Sequence, residues 1–347
     1  MFFFQRPARI ICRAQASWII MSTPCQASAR HVHTSAQTAA SELLSKVKGH
    51  KFVRKQLLDG NQLQKLSLTL GRRSEFSLEE PPDGTIVPHG HHLVYFTPSQ
   101  FEFELGADGS DTTFNSPAPF TRRMWAGGEM VWDPEIPLRI GDRIEETTEI
   151  IDAQAKKSRD GSEMVLVDVE KRFVSPLGLA LTDRRRSWIF RQPPTTPPPA
   201  SNIAVSKVPA TKSRIHDAAS SQTGYPTRHL VWSPVALFQF SALTFNAHMI
   251  HFNETWTRQV EGHPDVVVHG PLNLISLMDY WRDVHSQDGK VKPRGITYRA
   301  LSPLYAGEEY TIATESVDEA DEETKYGLVV RKGDTVCMRG EVVGVKG

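Results

Sequence analysis

Cysteine is scarce in this chain. Cys12, Cys25 and Cys337 are its three cysteines among 347 residues. They are too few and too scattered for a disulfide framework or a thiolate zinc site. Excess charge of either sign is also missing. Lys and Arg together number 40, as do Asp and Glu, so the formal net charge is zero. That balance excludes a globally basic nucleic-acid binder. No apolar run reaches the roughly 18 residues of a membrane span, so none is expected. Neither Gly-x-Gly-x-x-Gly nor a P-loop occurs, which removes the usual phosphate cradles. Gly-x-Ser-x-Gly and His-Glu-x-x-His are absent as well, leaving no signature of a serine hydrolase or zinc protease. With 39% hydrophobic and 23% charged residues the composition is globular, and the length suits about two domains.

One absence is local. Residues 1–41 contain no acid, and the first is Glu42. Arg6, Arg9, Arg13 and Arg30 lie in that stretch among Ser, Thr and apolar residues. An acid-free, Arg-bearing start is the composition of a mitochondrial presequence, so residues 1–41 are expected to target the chain to the matrix.

Proline marks a second boundary. Pro193, Pro194, Pro197, Pro198 and Pro199 crowd into residues 192–213. Proline lacks an N–H and fixes φ, so no core element is expected there. The linker leaves an N-terminal domain, 42–191, and a C-terminal domain, 214–347, and the two echo each other. His89-Gly90 precedes the apolar stretch from His91 to Phe96, and His269-Gly270-Pro271 precedes Leu272 to Met278. Gly90 and Gly141 are 51 residues apart, whereas Gly270 and Gly307 are 37 apart. The difference of 14 matches Gly106–Pro119, which reads as an inserted loop. A helix is expected from Ser41 to Leu58. Period-two strands are expected over Met164–Val174 and Ser187–Phe190, and as a hairpin closing at Lys332-Gly333-Asp334. The expected fold is α+β, with two antiparallel sheets, each wrapped around a central helix.

The densest polar cluster lies at residues 243–272, where His248, His251, His263 and His269 fall within 22 residues. No Asp, Glu or Cys stands at a usual ligand spacing to them, so no metal is expected. Asn246 to His251 has the six-residue window of the Asp-x-Asn-Pro-x-His signature, and this region resembles the MaoC-like enoyl-thioester hydratases. Asn246 stands at the signature's Asp and His248 at its Asn, while His251 matches its His. Val268-His269-Gly270-Pro271 is similar to the start of that family's central hot-dog helix. The stretch from Phe240 to His251 resembles one branch in particular, the mitochondrial 3-hydroxyacyl-thioester dehydratases of type 2 with the related mesaconyl-CoA hydratases. Arg122 to Gly128 resembles that branch's N-terminal dehydratase-like domain.

The resemblance implies a double hot-dog that interconverts (3R)-hydroxyacyl and trans-2-enoyl thioesters of acyl carrier protein or CoA in mitochondrial fatty-acid synthesis. It implies no cofactor. Such chemistry needs a proton carrier of near-neutral pKa and a donor for the thioester oxygen. His251 is the expected acid/base, Asn246 holds the water, and Gly270 offers its N–H at a helix start. Substrate contacts are expected from Arg122 and Arg123, whose guanidinium groups suit phosphate, and from Trp125 and His248. Asn246 cannot act as a base as Asp could. A CoA-thioester hydratase of dicarboxylic acids and a non-catalytic thioester-binding hot-dog are the alternatives. A monomer and a homodimer both satisfy the fold.

Overall fold

The computed structural model describes residues 34–47, 49–72, 79–158, 160–194, 212–220 and 224–347. Residues 1–33 of the expected targeting segment and 195–211 of the expected linker lie outside them. In chain order the elements are α1 (Ala36–Val47), β1 (Phe52–Leu57), α2 (Gly60–Thr69), β2 (Arg122–Trp132), β3 (Arg143–Lys157), β4 (Glu163–Ser175) and β5 (Gly178–Arg191). Then come β6 (Arg214–Ala218), β7 (Thr227–Val231), α3 (Pro234–Leu243), α4 (Glu254–Gln259), α5 (Gly270–His285), β8 (Val291–Ala300), β9 (Glu309–Glu319), β10 (Glu323–Lys332) and β11 (Thr335–Lys346).

The strands join in one antiparallel sheet of eleven, ordered β1-β3-β4-β5-β2-β8-β11-β10-β9-β7-β6. The halves meet where β2 pairs β8, from Gly127 opposite Arg299 to Val131 opposite Gly295. That seam needs glycine. A Cβ on Gly127 would lie 2.5 Å from the carbonyl oxygen of Tyr298, and one on Gly128 would lie 2.6 Å from the Tyr298 hydroxyl.

The internal repeat is written in main-chain hydrogen bonds. Val87 N–H donates to Leu138 O as Val268 N–H donates to Leu304 O, and Gly141 N–H donates to Leu58 O as Gly307 N–H donates to Trp232 O. Helices α2 and α3 hold matching places, each capped by a side chain, Asp59 and Ser233, that accepts an N–H of the first turn. By this ladder His89 occupies the rung of Gly270, one residue away from the match that the two His-Gly pairs suggest.

Only the second half carries a long central helix among the described residues. Pro271 in its first turn presets φ for α5. Leu272, Leu274, Ile275, Leu277, Met278, Tyr280 and Trp281 are all buried. A helix apolar on this many sides must be enclosed, and each such side chain contributes about 1.5–3 kcal/mol by leaving water. In the first half the expected helix after Gly90 is a single 3₁₀ turn, His91–Val94. Phe96 has φ +52° and Thr97 precedes Pro98, so the chain cannot continue as helix. The His91 ring instead meets Asp279 of α5 at 2.9 Å. Both halves therefore wrap the same helix.

The N-terminal helix also differs from its expected range. The expected helix over Ser41–Leu58 is α1 followed by β1, and α1 starts before Glu42. Ala36, Ala39, Ala40 and Leu43 are buried against Ile150, Val165 and Val167 of the first half's sheet. Small residues on that face let the helix lie close, so residues 36–41 belong to the fold although they lack acids. The strands run longer than the period-two patterns, as β4 and β5 show, because their ends pair beyond the apolar alternation.

A buried ion cluster fastens the first half. Glu146 on β3 has a fully buried side chain, is bonded to Lys171 on β4, and accepts from Arg54 on β1 at 2.7 Å. Glu146→Gln leaves the Lys171 ammonium buried without its counter-charge. We expect a loss of about 3–5 kcal/mol and a thermal midpoint lower by on the order of 10 °C, read by calorimetry on the full chain.

Candidate functional site

The Asn246 window follows α3. After Thr244 the chain turns through Phe245 at φ +47°, and Asn246 N–H donates to Ser241 O at 2.9 Å. The Asn246 side-chain oxygen accepts the main-chain N–H of His248 at 3.1 Å. This local turn occupies the amide's acceptor and leaves its NH₂ as the half available to a ligand.

His251 sits in a 3₁₀ turn, Met249–His251, and is 8% exposed. Its Nδ1 lies 2.7 Å from the carbonyl oxygen of Val267. A carbonyl only accepts, so Nδ1 holds the proton and Nε2 is the acceptor of the neutral ring. Burial is the main cause that lowers the His251 pKa to about 3, and the nearby His248 charge adds to it while the Val267 bond opposes it. The ring stacks on His269 with centroids 3.7 Å apart, and His269 Nε2 pairs with Ser241 Oγ at 2.9 Å. His248 stands edge-on to His251 at 5.5 Å and places its Nε2 3.3 Å from Asp108 Oδ2. Among the described residues no three His, Cys, Asp or Glu are grouped to hold a metal ion.

A cavity of about 160 Å³ opens between the halves. Asn246, His269, Pro271, Phe240 and Thr244 come from the second half, while Leu93, Tyr95, Phe96 and Phe173 come from the first. Three cations also reach its wall: Arg123, Lys171 and Arg186. Gly270 opens α5 beside this wall. A Cβ there would lie 2.2 Å from Trp125 Cε3, so the indole of β2 rests directly on the helix start.

The expected site residues divide accordingly. Asn246 and Arg123 are on the cavity wall, Arg123 under the ring of Trp188 at 5.1 Å and 3.9 Å from Asp111. Gly270 is packed beneath Trp125, and His251 lies behind His269. Arg122 turns away: its Nε bonds to the Glu261 carboxylate and its Nη2 donates to Glu261 O at 3.1 Å. Its role in the structure is to tie β2 to the loop after α4. Arg186, the last of three consecutive arginines, is inside, paired with Asp183 at 3.0 Å.

Sequence reasoning did not find Asp108, Ser241, Lys171 or Arg186. Lys171 had a signal, since it continues the inward phase of Val165, Val167 and Val169 on β4. Asp108 had none, lying 140 residues from its partner in a loop of turn-forming residues.

The hydroxyacyl-thioester dehydratase type 2 family matches residues 90–306, more than half of the chain. A mesaconyl-C(4)-CoA hydratase of Chloroflexus aurantiacus is 33% identical over 233 residues, covering 65% of this chain and 75% of that protein. A mitochondrial hydroxyacyl-thioester dehydratase type 2 of Schizosaccharomyces pombe is 26% identical over 291 residues, covering 76% and 89% respectively. Among solved structures, a MaoC-like dehydratase from Phytophthora capsici superposes with a TM-score of 0.56 at 12% identity, covering 88% of this chain and 99% of its own. A Mycobacterium tuberculosis protein described as a double hotdog fold superposes with a TM-score of 0.52, also at 12% identity, covering 88% and 98%. The fold is that double hot-dog, of the α+β class.

The tight seat of Gly270 is measurable without any substrate. Gly270→Ala forces the indole aside, so it and Trp125→Leu are expected to be non-additive in stability. A double-mutant cycle by denaturant unfolding should give a coupling of about 1 kcal/mol or more. Strict additivity would show that the two residues do not bear on each other.

Proposed function

The chain belongs to the hydroxyacyl-thioester dehydratase type 2 family, and we propose that it is a hydro-lyase interconverting 3-hydroxyacyl and trans-2-enoyl thioesters. The observation that carries this reading is the meeting of the Asn246 window and the α5 N-terminus at one cavity. Removing a proton from C2 builds negative charge on the thioester oxygen. The first-turn N–H groups of α5 lack intrahelical acceptors, and the helix dipole adds to their field. Donors so placed are worth about 3–4 kcal/mol of barrier. His251, held neutral by burial, offers Nε2 to accept the proton. The Asn246 NH₂ donates to the departing or entering oxygen. The Leu93, Phe96 and Phe173 wall excludes water from the acyl chain.

The (3R) preference, the choice between carrier-protein and CoA thioesters, and a matrix location in fatty-acid synthesis are parts of the same proposal. The location is supported by the acid-free N-terminal segment and by the mitochondrial relatives in two yeasts. We place the targeting segment within residues 1–33, ahead of α1.

A second reading, hydration of CoA thioesters of dicarboxylic acids, is favoured by the cationic wall. Arg123, Lys171 and Arg186 would suit a distal carboxylate, and the mesaconyl-C(4)-CoA hydratase is a relative. Comparing kcat/KM for a short monocarboxylic trans-2-enoyl-CoA and a four-carbon dicarboxylic one separates the two readings.

Hydration of a short trans-2-enoyl thioester, followed as loss of its conjugated absorbance, tests the reaction class. His251→Ala should lower kcat by roughly 10²–10⁴ with the fold intact by circular dichroism. A folded variant with wild-type turnover would remove His251 from the mechanism.

A further inference from the structure

Elimination of water moves two protons. One leaves C2 and the other must reach the departing hydroxyl. His251 is a neutral ring whose one proton, on Nδ1, is committed to Val267 O, and burial disfavours a second on Nε2. His269 is buried beside it with its pKa pushed well below the ordinary value by burial. Asn246 cannot donate a proton at all. A second proton carrier beside His251 would let the hydroxyl be protonated while the C2 proton is taken up.

The inserted loop supplies a partner for one. Asp108 O accepts the N–H of Met249 at 2.8 Å, and Asp108 Oδ2 lies 3.3 Å from His248 Nε2. Asp108 Oδ1 is held from the other side by Ser110, by its N–H at 2.9 Å and its hydroxyl at 2.7 Å. The loop is seated closely. Gly109 has φ +77°, and a Cβ on it would lie 2.1 Å from Ala247 O. Four titratable or charged neighbours besides Asp108 bear on His248 or its partner: His251 and His269 in the stack, His263, and Arg123 of β2. Asp108 is the carboxylate among them. Burial opposes its charge, but His248 and the bonds from Ser110 hold its pKa well below the usual carboxylate range.

We propose that Asp108, carried by a loop of the first half, is a positioning residue that keeps His248 as the proton donor to the leaving hydroxyl. The inference rests on the hydro-lyase reading above. In dehydration the C2–H bond breaks, its proton passes to His251 Nε2, and its electron pair forms the C2=C3 bond. The C3–O bond breaks, and the oxygen takes a proton from His248 and leaves as water. His251 then gives up the C2 proton and His248 regains one, so both rings are restored and the products are the enoyl thioester and one water. Hydration runs the same steps backwards.

The test uses the full chain, a trans-2-enoyl-CoA and its 3-hydroxyacyl product, with kcat and KM measured across pH. Asp108→Asn keeps the Oδ1 acceptor for Ser110 and removes the charge. It should lower kcat about 10- to 100-fold with little change in KM. Gly109→Ala, which unseats the loop, should lower kcat in the same way. His248→Gln should lower kcat at least as far. Ser110→Ala loosens the loop without touching the charge, so its kcat should stay close to that of the wild type. Wild-type turnover in Asp108→Asn and His248→Gln would overturn the inference alone. A wild type inert to every thioester offered would overturn it together with the hydro-lyase reading.

Discussion

Gly270 has no room for a side chain. The indole of Trp125 lies where its Cβ would be, and this contact fixes how the first half meets the second. Trp125 belongs to β2, the strand that pairs β8 across the seam. The seam in turn brings Gly127 and Gly128 against the Tyr298 main chain and hydroxyl. Seating the indole on the helix start thus sets the register of the joined sheet and the depth of the cavity at once. A bulkier residue at any of these glycines would part the halves where the cavity opens.

From that constraint follows a division of labour. The second half supplies α5, the Asn246 window and the histidine stack. The first half has no long central helix among its described residues, and its 3₁₀ turn at His91 leaves space that Leu93, Phe96 and Phe173 line. Losing one helix is how two similar halves yield one asymmetric cavity. The same half covers the loss with charge. Glu146, Lys171, Arg54, Asp183 and Arg186 form ion pairs inside it. Such pairs are poor sources of stability in themselves, because desolvation offsets their attraction.

Much of this was legible in the sequence, and the reasons differ by element. Strands β4, β5, β10 and β11 declared themselves through period-two burial, and the Gly333 turn through its short link. The repeat was visible in the paired glycines, although the ladder aligns His89 rather than Gly90 with Gly270. The missing helix was not visible, because an apolar run of six residues suits either a helix or a loop packed on one. The start of α1 was not legible, since its buried face is made of alanines, which carry no charge signal. The site was readable where it is local, from Asn246 to Gly270. Arg186 hid in a run of three arginines whose middle member, Arg185, has φ +50° and turns the strand. That irregularity carries Arg186 inside while Arg184 stays outside with Glu129.

Asp108 illustrates why the remainder was illegible. A helical or strand motif presents its residues at fixed spacing, so Asn246 and His251 announce each other. A loop contributes through a contact made only after both halves have folded, and no spacing encodes it. The cost of that arrangement is small if the loop is pinned, since closing a longer loop adds entropy only logarithmically. Here it is pinned at the Asp108 carbonyl and at Gly109, and each contact falls within the window it serves. A carboxylate brought by a loop can also be positioned independently of the Asn246 turn, whose side-chain oxygen is already spent on the His248 N–H. On the proposed mechanism, asparagine at that position separates two tasks, shaping the turn and carrying the charge, that a single aspartate in the window would have to combine.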